Sequence, residues 1–237
     1  MKMSAPSLDD RATPIPVAHP PHATVGSTAA PGGLLSGPAV AGSAVTRIGI
    51  LAIQGDFDAH ARRVEKLGAG AIFIRTPADF DGLAGVILPG GESSTHLKLL
   101  DEECLRKPLV EFARNGGAIL GTCAGAILLA REVHNPAQAS LNLLDISVLR
   151  NAYGRQLSSN VCTLLTTLND APLEMVFIRA PIIESVGPGV TILAERDGHP
   201  ILVQQGNILA ATFHPELAAD LAVHHHFLSL ARKAASR

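Results

Sequence analysis

The chain has 237 residues, of which 47% are hydrophobic and 17% charged, with a formal net charge of −2. That length and apolar content suffice for one sizeable α/β core, while near-neutrality gives no electrostatic reason to expect nucleic acid or an anionic membrane surface as a partner. The longest apolar stretch, Ala118 to Ala130, is interrupted by Gly, Thr and Cys and is too short to cross a bilayer.

The first 45 residues hold seven of the sixteen prolines, set among Ala, Gly and Ser without apolar periodicity. Residues 1–45 are therefore expected to be a disordered extension, and Asp9 and Asp10 near its start argue against a secretory signal. From Thr46 onward the pattern alternates. It predicts strand Arg47–Gln54, helix Asp58–Leu67, strand Ala71–Arg75, strand Gly85–Leu88, helix Leu109–Asn115, strand Ala118–Thr122 and a short apolar helix over Ala126–Ala130. The later half predicts strands Thr191–Ala194, Ile201–Gln205 and Ile208–Thr212, then a helix over Asp220–Lys233. This βαβ rhythm predicts an α/β fold, a doubly wound and mostly parallel sheet flanked by helices, with its site at the carboxyl ends of the strands. A hairpin at Gln205-Gly206-Asn207 is expected to return the following segment to that site.

Gly121-Thr122-Cys123-Ala124-Gly125 places a cysteine at a strand-to-helix turn between small residues, as in a nucleophile elbow. A thiol there feels the positive end of the helix dipole, which favours the thiolate. His214-Pro215-Glu216 supplies a base and a carboxylate two residues apart, which an extended segment would project to one side. Cys123, His214 and Glu216 thus have the makings of a triad, in which the imidazole takes the thiol proton and the carboxylate orients the ring. Between strand and helix, Leu88-Pro89-Gly90-Gly91-Glu92-Ser93-Ser94 forms a glycine-rich turn. The amides of Gly91 and Ala124 are candidate donors to an oxyanion, with Ser93 and Ser94 alternatively serving as helix caps.

The cysteines, Cys104, Cys123 and Cys162, are odd in number and lack metal-type spacing, which suits a reducing compartment and points to the cytoplasm. His224, His225 and His226 are consecutive on a predicted helix and cannot converge on one ion, so no metal is expected and they are read as partly solvated. His60, near the Gln54-Gly55 turn, is expected either to meet a partner subunit or to be a surface histidine.

From about Thr46 to its end the chain resembles the class I, triad-type glutamine amidotransferases. Within them it resembles the glutaminase subunits of pyridoxal 5′-phosphate synthase. The likeness is carried by Ile50-Leu51-Ala52-Ile53-Gln54-Gly55 with His60, Leu88 to Ser93, Gly121 to Gly125, Arg150-Asn151-Ala152-Tyr153-Gly154-Arg155-Gln156, Phe177-Ile178-Arg179-Ala180-Pro181 and Phe213-His214-Pro215-Glu216-Leu217. The resemblance implies a flavodoxin-like amidotransferase domain over residues 46–237, with Cys123 as nucleophile, His214 as base and Glu216 as its orienting carboxylate. It further implies that L-glutamine is held by Gly91, Glu92, Ser93, Arg150, Ile178 and Arg179. An arginine fork suits the carboxylate of such a zwitterion.

The implied activity is hydrolysis of glutamine to glutamate and ammonia, with the ammonia passed to a separate (β/α)8 barrel synthase subunit for vitamin B6 biosynthesis. The chain itself is expected to bind no pyridoxal phosphate and to need no cofactor. Two alternatives remain at this stage: the glutaminase subunit of another amidotransferase, such as imidazole-glycerol-phosphate synthase, and a non-catalytic regulatory homologue. Leu149, Gln204 and Ser158-Ser159-Asn160 depart from the family pattern, away from the triad.

Overall fold

The computed structural model describes residues 45–151 and 159–236. The expected extension, apart from Val45, lies outside the described residues, as do Ala152 to Gln156 of the Arg150 block and Ser158.

The strands most apolar in sequence form the middle of a seven-stranded sheet. β1 (Arg47–Leu51) is followed by α1 (Phe57–Lys66), β2 (Gly70–Ile74), a 3₁₀ turn at Pro77–Phe80 and β3 (Gly85–Leu88). Next come α2 (Ser93–Glu102), α3 (Arg106–Arg114), β4 (Ala118–Thr122), α4 (Ala124–Leu129), β5 (Ala130–His134) and β6 (Leu144–Leu149). The remainder is β7 (Ser159–Leu164), β8 (Leu173–Ile178), β9 (Ile182–Val186), β10 (Thr191–Arg196), β11 (His199–Gln205), β12 (Ile208–Ala211) and α5 (Ala222–Ala235). The main sheet runs β10-β11-β12-β4-β3-β1-β2, parallel from β12 to β2 and antiparallel across β10, β11 and β12. A three-stranded sheet β5-β6-β9 and a hairpin β7-β8 stand beside it.

β3 and β4 are buried along their whole length, the mark of parallel strands covered on both faces. One face packs Ile48, Ile50, Ile87 and Leu120 against Val64 of α1 and Phe227 of α5. The other packs Leu51, Val86, Leu88 and Ile119 against Leu97 and Leu100 of α2, Leu109 of α3 and Leu128 of α4. Each such fully buried side chain contributes roughly 1.5–3 kcal/mol of transfer free energy. The doubly wound architecture expected from the βαβ rhythm is the one observed.

Boundaries differ where local chemistry overrides periodicity. β1 stops at Leu51, short of Gln54, because the chain must turn at Gly55 (φ +87) so that Asp56 can cap α1, its Oδ1 accepting from the Ala59 amide at 3.1 Å. The apolar run after Cys123 ends as helix at Leu129. Ala130 is extended (ψ 151) and opens β5, because Ala130 pairs with Leu144 of β6. β5 to β9 were not individually predicted. Their residues mix buried and exposed positions, as in β8 (Leu173–Ile178), so they do not form the unbroken apolar runs of the central strands.

Register fixes the site. Leu88 pairs with Gly121 and Ala211 with Thr122, so the chain leaves β3, β4 and β12 at one level on one sheet edge. Gly90, Cys123 and His214 are therefore brought together by strand pairing. The hairpin at Gly206-Asn207, with Gly206 at φ +58, aligns β12 for this, as expected from the sequence.

Candidate active site

β4 runs into a sharp turn at Cys123, whose φ of 48° and ψ of −103° lie outside the ordinary regions for a side-chain-bearing residue. The turn is held by the Cys123 amide donating to Ala211 O at 2.8 Å, and by the Ala126 and Ile127 amides donating to Cys123 O at 3.1 and 3.3 Å. Close packing demands small residues here: a Cβ on Gly125 would lie 2.1 Å from Leu88 O. Cys123 is 7% exposed and lines a small pocket of ≈ 110 Å³ with Gly91, Glu92, Ser93, Ile127, Arg150, Ile178 and Arg179. A larger groove of ≈ 800 Å³, around Pro77, Leu100, Cys104 and Pro108, lies elsewhere and contains neither Cys123 nor any of the glycine-rich turn.

His214 follows the buried Phe213 and is tied to β8 by its amide donating to Val176 O at 2.8 Å. The His214–Glu216 proximity does not come from an extended segment. Pro215 sits in a turn closed by the Leu217 amide on His214 O at 3.2 Å, and this curls Glu216 back beneath the imidazole. His214 Nδ1 donates to Glu216 Oε1 at 2.7 Å, which leaves Nε2 for Cys123. The His214 ring and Cys123 press on Gly90 together: a Cβ there would lie 2.5 Å from His214 Cε1 and 3.4 Å from Cys123 Cβ. Burial opposes a charge on His214, but hydrogen bonds and charge from Cys123 and Glu216 outweigh it and push the imidazole up to about 10. The thiol also lies 3.9 Å from Ile178 O, a weak contact.

His60 is neither at the surface nor open to a partner. It is fully buried on α1, with Nδ1 3.0 Å from His224 Nε2 and Nε2 3.2 Å from Thr122 Oγ1 and 3.4 Å from Glu216 Oε2. His224 is likewise buried, not partly solvated, whereas His225 is exposed and His226 half-buried with its Nε2 2.7 Å from Gln204 Oε1. Sequence reading missed this second layer because an isolated histidine on an amphipathic helix looks the same whether it faces water or another helix.

The glycine-rich turn also differs in detail. α2 is capped by Glu92, whose Oε2 accepts from the Thr95 amide at 2.7 Å and from Thr95 Oγ1 at 2.9 Å. Partial burial opposes the charge, but these bonds, with those from Ser94, hold its carboxyl down to about 2. Ser93 and Ser94 are not caps. Their hydroxyls donate to Gln138 Oε1 at 3.0 and 3.1 Å. Arg150 joins them, hydrogen-bonding Gln138, Glu92 Oε1 at 2.8 Å and Ser94 Oγ at 3.0 Å. The Arg150 guanidinium is thus already paired at the pocket wall, whereas Arg179 (φ 46) is exposed at its rim. Gln138 lies in a polar loop, and nothing in the sequence marked it. Gly91 (φ +139) lines the pocket, and Ala124 opens α4, where first-turn amides have no intrahelical partner. Leu149 and Gln204 lie on β6 and β11, away from the pocket lining.

A doubly wound sheet with a thiol at the β4–α4 elbow and a His–Glu pair beyond the adjacent strand defines an α/β protein of the class I glutamine amidotransferase type. The chain belongs to the SNO glutamine amidotransferase family, whose sequence model matches residues 50–233. It is 53% identical over 186 residues to the pyridoxal 5′-phosphate synthase subunit PdxT of Koribacter versatilis, covering 78% of this chain and 96% of that one. Against the protein of the same name from Deinococcus radiodurans the identity is 52% over 189 residues, with coverage of 78% and 96%. A solved structure described as a glutamine amidotransferase superposes with a TM-score of 0.74 at 42% identity, over 78% of this chain and 98% of that one.

Two outcomes follow from the geometry. In Gly90→Ala the new methyl forces the His214 ring away from Cys123. Overpacking costs about 1–3 kcal/mol of stability, and iodoacetamide labelling of Cys123, followed by peptide mass spectrometry, slows by about tenfold or more because the thiolate is the reacting form. The second concerns His214. Its folded value is raised above 6.5, so its contribution to stability is fully present below pH 6.5 and is lost as pH rises through about 10. Cys123→Ala removes one of its two supports. Titration of the ring by NMR should therefore show the midpoint falling in that variant, and an unchanged midpoint would mean that Cys123 does not contact the ring.

Proposed function

We propose that the chain hydrolyses L-glutamine to L-glutamate and ammonia at Cys123 and passes the ammonia to a pyridoxal 5′-phosphate synthase barrel subunit. The observation that carries this reading is Cys123 in the lining of a pocket with Glu92, Arg150 and Arg179, beside a His214 ring that is hydrogen-bonded to Glu216 and whose charged form Cys123 favours. The names borne by the relatives in Koribacter and Deinococcus support the pathway.

In the proposed reaction the Cys123 sulfur attacks the side-chain amide carbon, and the carbonyl electrons move onto oxygen, facing the amides of Gly91 and Ala124. His214, protonated and held through Nδ1 by Glu216, gives its Nε2 proton to the departing nitrogen as the C–N bond breaks, leaving a thioester and ammonia. Neutral His214 then takes a proton from water, whose oxygen attacks the thioester carbon. Expulsion of the sulfur releases glutamate and restores the starting pair. The carboxylate and ammonium of glutamine fit the mixed charge of the pocket, where Arg179 offers an exposed guanidinium and Glu92 an anion. Because ammonia released into water would be protonated, direct transfer to a docked synthase suits this chemistry.

The catalytic unit is proposed to be residues 46–237. The relatives align over nearly their whole length to 78% of this chain. Removing residues 1–45 should leave the glutaminase kcat within about twofold, since no triad or pocket residue is touched.

The deciding assay is glutamate release by the complete chain, with and without the barrel synthase. The expected result is activity that rises with the synthase and falls by about 10³-fold or more in Cys123→Ala, as when a nucleophile is lost. Activity indifferent to that synthase would assign the chain to another amidotransferase, and no activity under either condition would overturn the enzymatic reading.

A further inference from the structure

The chain of buried polar contacts does not end at Glu216. We propose that His60 is a positioning residue of the triad: a neutral imidazole, locked by His224, that presents its Nε2 proton to the second carboxylate oxygen of Glu216. The proposal rests on the glutaminase reading for its catalytic consequence, but not for its geometry.

The hydrogen-bond bookkeeping decides the tautomer. Glu216 is 2% exposed; His214 occupies Oε1, and Oε2 has no hydrogen-bond partner of ordinary geometry among the described residues, its nearest ring nitrogen being His60 Nε2 at 3.4 Å. Two arrangements satisfy the His60–His224 contact of 3.0 Å. If His60 carries its proton on Nδ1, it donates to His224 Nε2. Nε2 of His60 then turns a lone pair toward the carboxylate, and the proton of His224 falls on Nδ1, a buried atom with no partner. If instead His224 carries its proton on Nε2 and donates to His60 Nδ1, His60 holds its proton on Nε2, shared between Thr122 Oγ1 at 3.2 Å and Glu216 Oε2. The orphan is then only an acceptor, Nδ1 of His224. A buried unpaired N–H and a lone pair against a carboxylate cost more than an unused acceptor, so the second arrangement holds.

His60 acts as a neutral donor and not as a second cation. The groups facing it are His224 from α5, Thr122 from β4, and His214 and Glu216 from the segment after β12, with Arg63 next along α1 and bonded to Glu216 O at 3.1 Å. Complete burial, and then the neighbouring His224 and His214, hold the His60 ring well below its ordinary value. Burial, followed by the Arg63 charge, lowers His224 to about 3. One proton on each ring and none to spare gives the row a fixed direction, from His224 through His60 to Glu216. The carboxylate thereby has one oxygen bonded to His214 and the other facing the His60 N–H, and its hold on the Nδ1 proton of His214 keeps Nε2 aimed at Cys123.

The test begins with the wild-type chain, full length and labelled with ¹⁵N at histidine, so that no variant need fold. The ring nitrogen shifts of His60 should report a proton on Nε2 and none on Nδ1, and the reverse tautomer would overturn the proposal. Kinetics then separate positioning from scaffolding, with the barrel synthase present and folding checked by thermal melts. His60→Leu, which has no donor, should lower kcat about 10- to 100-fold, the cost of losing a hydrogen bond to a charged group. KM should stay within about twofold, because the pocket walls are untouched. His60→Gln, whose Nε2 can reach the same oxygen, should recover most of that loss. Equal losses in folded Leu and Gln variants, or full kcat in the Leu variant, would refute the role. If wild type releases no glutamate, the glutaminase reading fails, while the tautomer measurement still decides the geometry.

Discussion

A carboxylate taken almost wholly out of water has to be paired or hydrogen-bonded, and at Glu216 that requirement organises the site. One oxygen is held by His214 at 2.7 Å and the other faces His60 at 3.4 Å, while its backbone carbonyl accepts from Arg63 at 3.1 Å. These partners come from α1, from the segment after β12 and, through His224, from α5. A single buried carboxylate therefore ties three distant parts of the chain to one point beneath Cys123. The burial that makes an isolated carboxylate costly also makes its contacts directional, because no water competes for them.

The second constraint is steric. The backbone at Cys123 adopts a conformation that only strong surroundings enforce, and those surroundings are visible: Gly125 against Leu88 O, and the amide of Cys123 on Ala211 O. Gly90 completes the clamp, since the His214 ring and Cys123 occupy the space that a side chain there would need. Cys123 and the His214 ring thus sit in a cage of backbone, which explains why glycine stands after β3 at Gly90 and in the first turn of α4 at Gly125. The pocket wall follows a separate logic. Glu92 caps α2 and pairs with Arg150, and Gln138 gathers Arg150, Ser93 and Ser94 on one oxygen, so the wall is itself hydrogen-bonded beside the chemistry.

Much of this was legible in the residues. The runs Gly85–Leu88 and Ala118–Thr122 matched the strands to the residue, because a strand buried on both faces reads as an unbroken apolar run. The elbow glycines and His214-Pro215-Glu216 were legible because their chemistry is encoded within a few positions. His60 was read as a surface or partner-facing residue and proved buried, since contact with His224 spans 164 positions and arises only because α1 and α5 cover the same face of the sheet. Ser93 and Ser94 were read as possible caps, but the side chain before them reached the amides first. Gln138 carried no pattern, being one polar residue in a polar loop.

The sequence by itself determined the central parallel strands, the strand-to-helix turn that bears the thiol, and the adjacency of His214 to Glu216, because each depends on neighbours close along the chain. Which histidine supports the carboxylate, which arginine is already neutralised and which serine caps nothing were decided only by tertiary structure. Those outcomes depend on strand register and on which helices share a face. A hydrogen bond is short-ranged and directional, so its partner is chosen by position in space, and no local pattern can record it.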